Sequence, residues 1–161
     1  MGTQQIILVI GASVLIGVLI FTINNYFLRN SSFEIYNEAC LTGAALGQSM
    51  IDRILTEQFD EKSIGKNFTT PDSLTAVGSL GPEAGETTVS SYDDVDDYKS
   101  YIKYDTMAVF GVFKTRVDVN YAQKFNPDVI SNVRTFTKRI DVFVTNAYIG
   151  DTLKFSYAVT Y

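Results

Sequence analysis

The sequence predicts an α+β protein: a long N-terminal hydrophobic helix packed on a four-stranded antiparallel meander sheet. Three observations carry this. The run Ile6–Ile23 holds no charged residue, and the first charged side chain of the chain is Arg29. A helical spacing of apolar residues resumes between Phe33 and Phe59. From residue 98 onward the pattern switches to strict alternation, the mark of strands buried on one face. The expected organisation is an apolar helix over 1–28, its amphipathic continuation over 29–59, a loop region over 60–97 and a sheet domain over 98–161.

The first element is long enough to matter outside a protein core. About 18 apolar residues rising about 1.5 Å each nearly cross a hydrocarbon layer about 30 Å thick. A secretory signal peptide fits poorly, because no basic region precedes the run and no Ala-x-Ala site follows it. Myristoylation at Gly2 is disfavoured, because Ile6 stands where Ser or Thr is needed. Gly11, Ala12, Ser13 and Gly17 are small, and Ser13-x-x-x-Gly17 would admit a close neighbouring helix; small residues are also ordinary in spanning helices. Arg29 on the C-terminal flank, taken alone, favours a cytoplasmic C-terminal side.

Residues 24–34 interrupt the apolar pattern. Asn24, Asn25, Arg29, Asn30, Ser31 and Ser32 are where a long helix would fray, bend or restart, since Asn and Ser compete for backbone hydrogen bonds. Beyond them Leu46, Met50 or Ile51, Ile54 and Leu55 form an apolar stripe. Glu38, Gln48, Asp52, Arg53 and Glu57 mark the wet side, and Gly43, Ala44, Ala45 and Gly47 make the middle thin. Gly65, Pro71, Gly78, Gly81, Pro82 and Gly85 punctuate the long connection that follows. Asn30-Ser31-Ser32 and Asn67-Phe68-Thr69 match the glycosylation sequon, a weak signal.

In the sheet region Phe113, Thr115, Val117, Val119 and Tyr121 face one way, and Lys114, Arg116, Asp118 and Asn120 the other. Ile140, Val142 and Val144 form another apolar row. Leu153, Phe155, Tyr157, Val159 and Tyr161 form the last, and Ile102 with Tyr104 a short first. Ile149-Gly150-Asp151 reads as the turn of the final hairpin, and Asn126-Pro127-Asp128 as a break before it. The apolar face needs a cover, and the amphipathic helix is the only long candidate.

Composition narrows the function. The net charge is −5, and no basic run exceeds Lys138-Arg139, which argues against nucleic acid as a primary partner. The chain has no His and one Cys, Cys40, so the usual general base, metal ligand and intrachain disulfide are all missing. Asp93, Asp94, Asp96 and Asp97 are candidate ligands for Ca²⁺, although the spacing is not that of an EF-hand. The competing reading has them capping turns and accepting backbone N–H groups. Acid–base catalysis by Glu83, Glu86 and these aspartates lacks a rigid shell. Clustered tyrosines read as good strand residues rather than as a conductive stack. No cofactor motif is present, and no enzyme is expected.

A hydrophobic helix of about fifty residues, half membrane-like and half amphipathic, followed by a loop and an antiparallel sheet, resembles a type IV pilin. Tyr92-Asp93-Asp94-Val95-Asp96-Asp97-Tyr98 is similar to a stretch before the first sheet strand of minor pilins of the mannose-sensitive haemagglutinin class. Lys138–Val144, Gly150–Leu153 and the terminal strand also fit. The opening departs from the family's pattern: a usual prepilin has a basic leader, a Gly before the cleavage site and then Phe-Thr-Leu-Ile-Glu. Cleavage after Gly2 would make Thr3 the first residue and put Ile7 where the family has its Glu. The C-terminal disulfide loop of many pilins is absent as well.

The resemblance implies a structural subunit of an extracellular filament, held in the inner membrane before assembly with its C-terminal domain on the periplasmic side. That orientation overrides the one Arg29 suggests. It implies as partners further copies of the chain or other pilins, and the pilus assembly machinery. It assigns the filament core to Ile6, Ile7, Leu8, Ile10, Val14, Leu15, Gly17, Val18, Leu19 and Phe21, and a melting segment to residues 24–32 that is non-helical once assembled. Two other readings stay open: a single-pass anchored binding domain whose ligand surface is the loop 60–91, and a pseudopilin of a secretion system.

Overall fold

The structure, a computed structural model, describes residues 2–63 and 68–161. Met1, Gly65 and the Asn67 sequon lie outside the described residues. The chain divides into two compact units, Met1–Glu38 and Ala39–Tyr161. One helix, α1, runs over Thr3–Ile54. Among the described residues, short 3₁₀ turns follow at Glu61–Ser63, Pro71–Ser73, Val77–Ser79 and Asp96–Tyr98. The strands are β1 (Ile102–Met107), β2 (Gly111–Gln123), β3 (Asn126–Ile130), β4 (Thr137–Thr145) and β5 (Leu153–Thr160).

The helix passes through residues 24–32 without a break. Two of the polar side chains expected to compete with the backbone are satisfied locally instead. Ser32 Oγ donates to the Leu28 carbonyl at 3.1 Å, and Asn30 Nδ2 donates to Glu34 Oε1 at 3.1 Å. Both are one-turn contacts that a straight helix accommodates. The helix ends at Ile54, five residues before Phe59. Its last turn tightens, with Thr56 N–H donating to the Arg53 carbonyl and Glu57 N–H to that of Ile54. Gln58 then forms an isolated parallel bridge to Asp94, which draws Phe59 and Asp60 into the domain.

The sheet order is β1-β2-β4-β5, all antiparallel. This is the four-stranded meander with one addition. β3 folds back on the end of β2, pairing Gln123 with Asn126 and Ala122 with Ile130 across an irregular register. Pro127 sits in this short fifth strand, where a missing N–H is tolerated. The alternation holds through the central pair: Val117 faces Val142 and Val119 faces Ile140, and all four are buried. On the outer face the Arg116 guanidinium lies 4.2 Å from the centre of the Phe143 ring.

Within the second unit, α1 covers the inner sheet face with Ala39, Gly43, Gly47, Met50, Ile51 and Ile54. Leu46 and Leu55 are only half-buried. The contact stripe therefore begins with small residues four apart, on one helix face. A Cβ on Gly47 would stand 2.5 Å from Cδ2 of Phe155, and one on Gly43 would stand 3.0 Å from Cδ1 of Leu153. What reads as a thin middle in sequence is the place where helix backbone meets β5 side chains.

Gly47→Val tests this fit. The added side chain must displace the Phe155 ring, and overpacking of this kind costs about 1–3 kcal/mol. A lowered midpoint in denaturant at unchanged slope is the expected result.

Candidate functional site

Two regions of the molecule have chemistry left over after folding. The first is the apolar surface of α1. Every residue from Gly2 to Tyr36 is exposed, among them Leu8 at 72% and Phe21 at 69%. Ile6, Ile7, Ile10, Val14, Leu15, Val18 and Leu19 are exposed with them. A Cβ placed on Gly17 would meet nothing within 4 Å. Between Ile6 and Ile23 the two hydroxyls are already spent: Ser13 Oγ donates to the Val9 carbonyl and Thr22 Oγ1 to the Val18 carbonyl, each at 2.8 Å. With its backbone bonded inside the helix, the stretch presents no unsatisfied hydroxyl to a lipid phase. The helix is long and apolar enough to cross a membrane. Gly2 is exposed at its start.

The second region is acidic and centres on residues 93–98. Three of the four aspartates singled out in the sequence are buried, and they divide their carboxylates among different tasks. Asp94 Oδ1 accepts the N–H groups of Asp96 (2.7 Å) and Asp97, and its Oδ2 accepts that of Glu61. Asp97 Oδ2 accepts the N–H groups of Asp93 (2.9 Å) and Asp94 (3.1 Å). Asp96 pairs through Oδ1 with Lys138. These bonds are the turn-capping arrangement. Among the described residues the four aspartates do not converge as one ligand set; the carboxylates that converge are those of Glu83, Glu86 and Asp97. Partial desolvation of its carboxyl, on a residue that is otherwise exposed, then the adjoining Glu86 carboxyl and the charge of Asp97, push Glu83 up to about 8.

Lys138, which the sequence marks only as half of a short basic pair and the start of a strand, organises this region. Its ammonium is fully buried, 3.1 Å from Asp60 Oδ2 and paired with Asp96, and it donates to the Phe59 carbonyl. It also lies 4.7 Å from the centre of the Phe59 ring. Asp60 in turn accepts the Thr75 N–H and hydroxyl, and Tyr121 donates its hydroxyl to the Thr75 carbonyl at 2.8 Å. Burial by itself would raise Asp60; the Lys138 charge, followed by the Thr75 N–H, outweighs it and holds the carboxyl below its ordinary value. The alternation held the signal for this lysine: Lys138 is two residues before Ile140 and so belongs to the inward row of β4.

The tyrosines do not form a ladder along the sheet. Tyr92, Tyr98 and Tyr101 meet edge to face with centroids 5.2–6.0 Å apart, whereas Tyr104, Tyr148 and Tyr157 are exposed. Arg53 on α1 donates from Nε to the Tyr98 hydroxyl at 3.2 Å.

No protein-family model, curated protein or solved structure matches this chain.

Lys138→Met leaves Asp60 and Asp96 buried without a counter-charge, and removal of one partner of such a group costs about 3–5 kcal/mol. Chemical denaturation of the variant measures it. The pH dependence has two limbs of opposite sign. Asp60, with its folded value depressed, stabilises the fold above its ordinary value of about 3.9, and this stability is lost as pH falls through the lower folded value. Glu83, with its folded value raised, takes up a proton on folding, so its contribution falls as pH rises from about 4.5 towards 8. In a chelator-containing buffer, thermal midpoints of Asp60→Asn are expected to lose part of the acid limb, and those of Glu83→Gln part of the alkaline one.

Proposed function

We propose that this chain is a structural subunit of an extracellular, type IV pilus-like filament, and that it polymerises through its N-terminal helix. The observation that carries the reading is the charge-free, wholly exposed apolar surface between Ile6 and Phe21, continuous in one helix with the segment that packs on the sheet. Such a surface needs lipid or other apolar helices around it. Burying one Val, Leu, Ile or Phe side chain away from water is worth about 1.5–3 kcal/mol, and the run has twelve of them.

In this account the chain waits in the inner membrane with its sheet domain on the periplasmic side. The helices then leave the lipid and pack against one another, with further copies or other pilins as neighbours and the pilus assembly machinery as the agent of transfer. Gly17 lets neighbouring helices approach. The subunit has no catalytic role, and nucleic acid is not its primary partner.

Electron microscopy of material sheared from cells, with mass spectrometry of the subunit, tests the reading. Filaments containing the chain are the expected result, and the N-terminal mass reports whether Met1-Gly2 is removed. Gly17→Leu should lower filament yield while leaving the amount of membrane-bound subunit unchanged. Recovery of the chain in the membrane fraction alone, with other filaments forming normally, would favour a solitary anchor with a binding domain.

A further inference from the structure

We propose that Glu83, Glu86 and Asp97 form a binding site for a hard divalent cation of calcium's size. The three residues each place a carboxylate oxygen so that all lie within 4.8 Å of one another. Oxygens that ligate one Ca²⁺ at about 2.4 Å are at most about 4.8 Å apart, the trans separation. The three carboxylates therefore fit inside a single coordination sphere, with solvent free to complete it on the exposed Glu83 side.

Asp97 supplies an independent reason. It is 1% exposed, and its two oxygens are not equivalent. Oδ2 accepts two backbone N–H groups. Oδ1 is buried and accepts no hydrogen bond from the described residues. A buried carboxylate oxygen without a donor is costly, and here it belongs to the side chain that converges on two further carboxylates. Among the described residues none of the three has an ion pair with Lys or Arg. The nearby ammonium of Lys138 is committed to Asp60 and Asp96. Oxygen-only, anionic and half-wet, this donor set suits Ca²⁺ better than a transition metal.

The segment carrying the two glutamates is held in shape before any ion arrives. Glu83 N–H donates to Glu86 Oε2 at 2.9 Å, and Glu86 N–H donates to the Glu83 carbonyl at 3.1 Å. Gly85 between them has φ +118°, which favours glycine. An ion on this turn ties the loop to the Asp96–Tyr98 turn that leads into β1. The site shares only Asp97 with the run of aspartates that the sequence pointed to.

The test uses the full chain in detergent micelles, with terbium as a luminescent probe and calcium as its competitor. The chain has ten Tyr and no Trp, so tyrosine is the sensitiser, and Tyr92 lies close enough to feel the charges of Asp97 and Glu86. Saturable terbium luminescence is expected, displaced by calcium with an affinity on the order of 10⁻⁴–10⁻³ M. Calcium is also expected to raise the thermal midpoint. The double variant Glu83→Gln/Glu86→Gln should weaken calcium binding at least tenfold and lose the thermal shift, while Glu61→Gln, altering a neighbouring carboxylate outside the site, should keep both. Circular dichroism of the double variant in EDTA establishes that it is folded. If the variant unfolds, Glu86→Gln alone replaces it, with the same tenfold criterion. The proposal is overturned if wild type shows no displacement at about 10 mM calcium, or if binding survives loss of the glutamates.

Discussion

The apolar surface between Ile6 and Phe21 is exposed among the described residues, and the rest of the account depends on that fact. Thirteen large apolar side chains from Ile6 to Ile23 are each about half exposed or more. Water is a poor solvent for such a surface, whereas a bilayer or a bundle of like helices is a good one. The hydroxyls of Ser13 and Thr22 are satisfied within the helix and so require no partner from either environment. A helix that is at home in lipid and in a helical bundle can move from one to the other without refolding. The proposed polymerisation rests on that interchange.

The sheet domain is held by a different device. Lys138 projects from the inward row of β4 and reaches the Phe59 carbonyl, Asp60 and Asp96. These partners lie just after the helix and just before β1. A single ammonium thus joins three segments that are distant in sequence. Apolar packing against Phe59, Leu74 and Tyr121 surrounds this network, so its charges depend on one another. An isolated buried ion pair is weak support for stability. Here the Asp60 carboxylate also accepts the backbone N–H groups of Lys62 and Thr75, which fixes the course of the loop in addition to balancing charge.

Much of this was legible in the sequence, for physical reasons that differ from element to element. The absence of charge before Arg29 marked the apolar helix, and period-two alternation marked β2, β4 and β5 with their correct inward faces. The strand β3 was hidden because Pro127 reads as a break and the pairing is short. The helix end was placed late because Leu55 and Phe59 continue the apolar spacing, although the chain has already turned to pair Gln58 with Asp94. Residues 24–32 read as a weak point because propensity ignores the one-turn bonds of Asn30 and Ser32, with which the helix of the single chain runs through. Gly43 and Gly47 looked like weak helix, because their use appears only when Leu153 and Phe155 are set against them. In the acidic region the cluster was visible, but not its division: sequence spacing cannot tell which aspartate caps a turn and which keeps an oxygen free. The partnership of Asp97 with Glu83 and Glu86 spans a connection whose path no local pattern encodes.

The account stands or falls on what surrounds the α1 surface in the working protein. Cryo-electron microscopy of filaments sheared from cells producing the chain addresses this directly. The account predicts a map in which residues 6–21 of neighbouring subunits pack against one another along the filament axis, with the sheet domains outermost. Filaments whose map has no density for this chain, with the chain recovered only as a lipid-embedded monomer, would contradict it.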